Sequence, residues 1–191
     1  MKTRRSHFET RYLVLNTAAS TLELEHAQLL AVAAVVVENG SLRSHDSLLL
    51  DLDHPAASIT AGLQQLVELS ANSVLVVFNA AFNRSLISKA CETHLPQRPP
   101  WDKHQRWLDL YFLLPALFPE RRERPVRLHS WMESFAIEAI EAKDSERALA
   151  DAWAIAQLLL AALARGNEMG AATANALIEI ERTHRQYRGR I

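Results

Sequence analysis

The chain has 191 residues, 49% hydrophobic and 23% charged with a formal net charge of −1, which suits one compact domain with a real core and excludes a polybasic nucleic-acid coat. A single cysteine, Cys91, excludes an internal disulfide and fits a reducing cytoplasm, and no Cys/His cluster points to structural zinc. The first residues carry no apolar signal core and the longest apolar runs fall short of a bilayer, so neither secretion nor a membrane partner is expected.

Residues 12–15 form a short apolar run ending in Asn16-Thr17, the pattern of a buried strand that delivers polar groups at its C-terminal end. The β-branched stretch 29–37 stops at Glu38-Asn39-Gly40, a hairpin signal, and residues 42–52 read as the returning strand. After Pro55, Ile59, Leu63, Leu66, Val67 and Ser70 share one helical face. Residues 74–78 read as another buried strand, and 79–83 lead into a helix that runs to about Thr93. Three prolines between 95 and 107 predict a loop, followed by a last strand over 107–110. Helical spacing over 111–118 ends at Pro119, a charged loop covers 120–124, and a helix is expected from about His129 to Ile137. Asp144 or Ser145 can cap a long helix reaching about Arg165, with Leu149, Ala152, Ala156, Leu159, Leu160 and Leu163 on its buried stripe. A final helix over about 171–185 precedes a basic tail. The expected architecture is α/β: a mixed sheet flanked by helices, in one domain spanning 1–191. Its core covers about 11–165, with the last helix and tail at about 171–191.

Four segments carry a family resemblance. Leu13-Val14-Leu15-Asn16-Thr17-Ala18 resembles a strand that ends in Asp-Thr-Glu. Residues 29–40, closing on Val-Val-Val-Glu-Asn-Gly, resemble the hairpin that follows it. Val76-Val77-Phe78-Asn79-Ala80-Ala81-Phe82-Asn83 resembles a His-Asn-Ala-x-Phe-Asp motif, and Glu146-Arg147-Ala148-Leu149-Ala150-Asp151-Ala152 resembles His-Arg-Ala-Leu-Ala-Asp-Ala. Leu108-Asp109-Leu110 and Leu128-His129-Ser130-Trp131 fit intervening segments. In this order and at these separations the chain resembles the DnaQ-like (DEDDh) 3′-5′ exonucleases over residues 11–163. That resemblance implies a ribonuclease H-like mixed five-stranded sheet, with an antiparallel meander of the first three strands plus parallel strands. The activity it implies is two-metal phosphodiester hydrolysis, in which four carboxylates hold the ions and a histidine serves as general base.

Carried over residue by residue, the carboxylate positions fall on Asn16, Ala18, Asn83 and Asp151, and the base falls on Glu146. Only Asp151 keeps an acid among the four ligand positions, so the charge expected there falls from −4 to −1. At a screened dielectric, each unit charge lost about 4 Å from a cation removes about 4 kcal/mol per unit of cation charge. Phe78 stands where the second motif has histidine, and Ala31 where many relatives have a further glutamate. The interval from Pro55 to Asn79 is short for the family's His-Gly-Ile-Thr loop. The expectation is therefore a catalytically inactive member of this fold with no cofactor, at most one weak metal ligand in Asp151, and magnesium or manganese only if activity remains. Expected partners are a single-stranded nucleic-acid end or nucleotide, a protein partner, or a second copy of the chain. The alternative is an active metal-dependent exonuclease with an altered site.

Thr17, Phe78, Asn79, Phe82 and His129 are the nucleic-acid-binding candidates that the matched motifs supply. Plainer uses compete with each assignment. Asn16 and Asn83 can simply cap element ends, Asp151 can be a solvated helical acid, and Glu146 suits a helix first turn through the dipole alone. His129 has a structural use open to it. Trp101, Trp107, Trp131 and Trp153 could stack on bases, with Trp153 expected near the groove, or pack in the core. Basic residues at Lys2, Arg4, Arg5, at Arg121, Arg122, Arg124, Arg127, and at Arg182, Arg185, Arg188, Arg190 offer phosphate contacts or solvated tails. The alanine-rich stretch 161–176 offers packing against a second subunit.

Overall fold

The computed structural model describes residues 5–96, 101, 104–121, 127–142 and 144–188. Three strands, β1 (Tyr12–Ala19), β2 (Leu29–Glu38) and β3 (Ser41–Asp51), form an antiparallel meander. After α1 (Ala56–Ser70), strand β4 (Val74–Val77) pairs parallel to β1. After α2 (Ala80–His94), β5 (Trp107–Asp109) pairs parallel to β4. The sheet order is β3-β2-β1-β4-β5, the mixed five-stranded arrangement that the resemblance implies. The chain continues through α3 (Leu110–Leu117), a 3-10 turn (Pro119–Arg121), α4 (Leu128–Ser134), α5 (Asp144–Glu168) and α6 (Ala174–Arg188).

Strand β1 reads as an unbroken apolar run because both faces of the sheet are covered. Tyr12 and Val14 point into one core with α3, α5 and α6, whereas Leu13 and Leu15 point into the other with α1 and α2. The hairpin follows its turn residues: Asn39 and Gly40 both take positive φ, at 54° and 70°, between the paired Glu38 and Ser41. That is the type I′ geometry, which suits the twist of a two-residue connection. The α1 face Ile59, Leu63, Leu66, Val67 and Ser70 is buried as its spacing predicts.

Helix α5 crosses the sheet on a stripe rich in alanine, including Ala148, Ala152, Ala156 and Ala162, whose small side chains let the helix sit close to the strands. By length and composition alone its residues Ser145–Glu168 could cross a membrane, a test that the core helix of a globular fold also passes. In this fold half of that helix's apolar window is buried inside the protein. Ala162, Ala171 and Ala174 are buried in the chain's own core, so this part of the alanine-rich stretch packs internally. Leu177 of α6 joins the same cluster as Tyr12 and Leu110.

The N-terminal segment is tied to the turn between α5 and α6. The two ring nitrogens of His7 bond the Tyr12 hydroxyl and the Ala171 carbonyl, both at 2.7 Å. The carbonyl can only accept, so Nε2 carries the proton and Nδ1 accepts from Tyr12. Burial, opposed by the Ala171 bond, lowers the pKa of His7 and favours this neutral form.

Candidate functional site

Strand β1 and the N-terminal parts of α2 and α5 converge, with α4 alongside, on a cleft of about 940 Å³. It gathers Asn16, Asn83 and Asp151, residues 135 positions apart at the extremes, and all five binding candidates, Thr17, Phe78, Asn79, Phe82 and His129. Ala18 is half-buried and pairs across the ladder with Ala31, so two methyl groups face each other where the resemblance implies acids. Glu146 is exposed and stands outside the cleft lining.

Both asparagine amides are engaged inside the protein. Asn16 donates to the Ala148 carbonyl at 3.2 Å, which ties the end of β1 to α5. Asn83, only 3% exposed, accepts from the Thr17 hydroxyl at 2.9 Å and donates to the carbonyls of Phe78 and Asn79 at 3.0 and 3.1 Å. An amide satisfies this arrangement and a carboxylate cannot, because the two donated bonds need N–H groups.

The local geometry rests on Asp109. Asn79 takes the left-handed conformation, φ 73°, and its side chain caps α2 through Phe82 N–H at 3.3 Å. The buried Asp109 carboxylate accepts the N–H groups of Asn79 and Ala80 at 2.9 and 2.8 Å and of Tyr111 at 3.0 Å, serving the starts of α2 and α3 together. Burial raises its pKa, against the lowering effect of those bonds and of Arg185. Arg185 also pairs within α6 with the buried Glu181, whose pKa burial likewise raises, and lies over the Phe112 ring of α3, which ties α6 to this corner.

Asp151 is half-buried; burial raises its pKa and Arg147 lowers it. Arg147 precedes it by one helical turn and lines the cleft too, as does Arg127. Two cations and one acid make a poor home for divalent ions. Asn83 has committed its carbonyl oxygen to Thr17, Ala18 offers no donor, and among the described residues no three His, Cys, Asp or Glu side chains converge to hold a metal. The donor set does not fit the pair of ions that the resemblance implies.

The apolar lining includes Leu22, Leu128, Met132 and Ile140, with Phe78 and Tyr111 packed edge to face at 5.8 Å. No tryptophan lines it. Trp101 and Trp107 pack on each other at 4.8 Å, Trp131 is buried, and Trp153 packs against the core, which corrects its expected place near the groove. Trp153 is two residues past Asp151, about 200° around the helix, and so points away from the cleft. Among the basic groups, Arg121 lies over Phe135, and Arg182 and Arg185 pair with Glu179 and Glu181. Lys2, Arg4, Arg122, Arg124 and Arg190 lie outside the described residues. His129 sits 3.2 Å from exposed Glu133. The sequence reading missed Arg147, Tyr111 and Asp109 as site residues. Arg147 sits at the i−4 position from Asp151, Asp109 is the middle residue of the Leu-Asp-Leu segment, and Tyr111 directly follows that segment.

No family model matches the chain, and no curated protein matches it in sequence. Solved structures of exonuclease I share its fold. Escherichia coli exonuclease I in complex with a dT13 oligonucleotide superposes with a TM-score of 0.64 at 13% identity, over 84% of this chain and 42% of that one. The moderately thermophilic exonuclease I of Methylocaldum szegediense gives 0.58 at 16% identity, over 79% and 40%. An apo exonuclease I gives 0.61 at 12% identity, over 90% and 44%. This chain therefore spans less than half the length of those proteins, and at these identities the likeness shows the fold.

Proposed function

We propose that this chain is a non-hydrolysing protein of the exonuclease fold that binds a single-stranded nucleic-acid end or nucleotide in the cleft between β1, α2, α4 and α5. The observation that carries the reading is the state of Asn83. At a position where the resemblance implies a metal-binding carboxylate, its amide is buried and fully used in internal hydrogen bonds. Water without metal activation keeps a pKa near about 15.7, so Asp151 alone leaves the hydrolytic barrier largely in place. Binding needs less: aromatic faces for bases and positive groups for phosphates, and Phe78, Phe82, Tyr111, Arg127 and Arg147 supply both. The oligonucleotide-bound exonuclease I supports the same use of the fold. Cys91, buried with its thiol pushed up to about 11, suits a cytoplasmic setting.

The test is fluorescence anisotropy with short end-labelled single strands, followed by gel analysis of the same strands in magnesium or manganese. Salt-sensitive binding with strands of unchanged length is expected. No binding at low salt refutes the proposal, as does trimming that disappears in Asp151→Ala. A second reading, a protein-interaction module, is favoured by Leu22 and Ile140, which stand 89% and 64% exposed at the cleft. Recovery of a stoichiometric protein partner whose binding fails in a Leu22→Ser, Ile140→Ser double variant would favour that reading.

A further inference from the structure

We infer that Arg127 and Arg147 form a phosphate anchor in place of metal ions, so that the cleft takes the phosphate of a nucleotide or strand end directly and without a divalent cation. This inference rests on the proposed binding function and adds the chemistry of recognition.

Arg147 lies in the first turns of α5, on the face of Asp151. Arg127 enters from the start of α4, and both line the cleft with Asn16 and Thr17. Among the described residues neither guanidinium has a carboxylate within the 4.0 Å of an ion pair. Every other arginine of the basic clusters that makes a close contact is committed to a glutamate or a ring elsewhere. Two uncommitted guanidinium groups against one acid give the lining a net positive character. A divalent cation is repelled from such a surface, and a phosphate is attracted. A guanidinium fork also matches phosphate oxygens in a bidentate geometry.

The size of the cleft argues against a bare anion. A volume of about 940 Å³ lies at the upper end of ligand sites and leaves room for a base and sugar beside the phosphate. The Phe78–Tyr111 pair and Phe82 supply aromatic surface for the base. Free nucleotide and strand end share this chemistry, and the measurement separates them.

The experiment is a titration in EDTA with adenosine 5′-monophosphate, adenosine and a labelled dT8 single strand. It compares the full chain with Arg127→Gln, Arg147→Gln, the double variant and Arg147→Lys. The monophosphate should bind at least about tenfold tighter than adenosine, as a charge-assisted contact predicts. The double variant should lose that preference with its melting temperature unchanged, and Arg147→Lys should keep only part of it, because an ammonium group holds the charge without the bidentate fork. With dT8, losing two phosphate contacts should lower the slope of log affinity against log salt by about 1.4. Displacement of the monophosphate by dT8 identifies a strand end as ligand; binding of the monophosphate alone identifies a free nucleotide. Three outcomes overturn the anchor: equal affinity for monophosphate and adenosine, a requirement for magnesium, or an unchanged preference in the double variant. If dT8 binds the double variant as it binds the parent, the anchor falls and the proposed function stands. If no probe binds the parent, both fall.

Discussion

Replacing Asn83 by aspartate would restore the charge that the family resemblance implies, and the structure predicts that it damages the protein instead. The substitution keeps an acceptor for Thr17 but removes both N–H groups that bond the Phe78 and Asn79 carbonyls. A carboxylate oxygen then faces two carbonyl oxygens at about the same separation. The Asn79 carbonyl keeps the Asn83 backbone N–H, so the Phe78 carbonyl is the acceptor left stranded, at about 1–3 kcal/mol, and the newly buried charge adds a cost of that order. The sum is about 2–6 kcal/mol. For a chain of 191 residues each kcal/mol moves the melting temperature by about 2–4 °C, so a drop of at least about 4 °C is expected. Thermal unfolding followed by circular dichroism in EDTA at neutral pH measures it. Because a protonated acid can again donate one bond, the deficit should shrink as the pH is lowered. Millimolar manganese should leave the deficit in place, since a cation held by the new acid would add stability by mass action. A variant that melts within about 2 °C of the parent in EDTA would refute the claim that Asn83 is locked as an amide.

His7 sets a pH dependence. Burial holds its pKa below the usual histidine value of about 6.5, so the unfolded chain binds the proton more readily between the two pKa values. Stability should therefore be fully present above about pH 6.5 and be lost as the pH falls through the folded pKa. The difference in unfolding free energy between the parent and Tyr12→Phe,His7→Gln, measured by urea titration from pH 7.5 to 5, should narrow over that window; a constant difference would show that His7 is not buried neutral. Ala136 takes φ 53°, a left-handed conformation that costs a non-glycine residue about 1–2 kcal/mol. Ala136→Gly should raise the urea midpoint by an amount equivalent to about 1 kcal/mol, and a lowered midpoint would refute the strain.

Ala136 also shows why part of the fold was hidden in the sequence. The helix expected to reach about Ile137 ends at Ser134 as α4, where Ala136 N–H turns back to Glu133 and Ile137 N–H to Met132. That is the bond pattern of a left-handed helix stop, a position glycine usually marks, and alanine there gives no signal. Similarly, α6 starts at Ala174, three residues later than its periodicity predicts, because the backbone at 171–172 is held by His7, more than 160 positions away in sequence. The start of α5 at Asp144 borders a residue outside the described set, so its expected cap is not defined. The sheet was legible for the opposite reason. Its hairpin turn, its doubly buried β1 and its α1 stripe each follow from residues within a few positions of one another.

The site divides in the same way. The positions where the resemblance implies acids could be counted along the chain, and finding Asn16, Ala18 and Asn83 there needs no coordinates. What the cleft offers instead needed the fold, because it depends on which unpaired cations the fold brings into one cleft. Arg127 and Arg147 belong to segments read separately, one as part of a basic cluster and one inside a motif, and only the approach of α4 to α5 places them on one surface. Overall charge conceals this, since a chain of net −1 can still line a cleft with more cation than acid. Under the proposed anchor, the protein supplies the positive charge that would otherwise come from cations, and binding proceeds without the Lewis acid that hydrolysis needs.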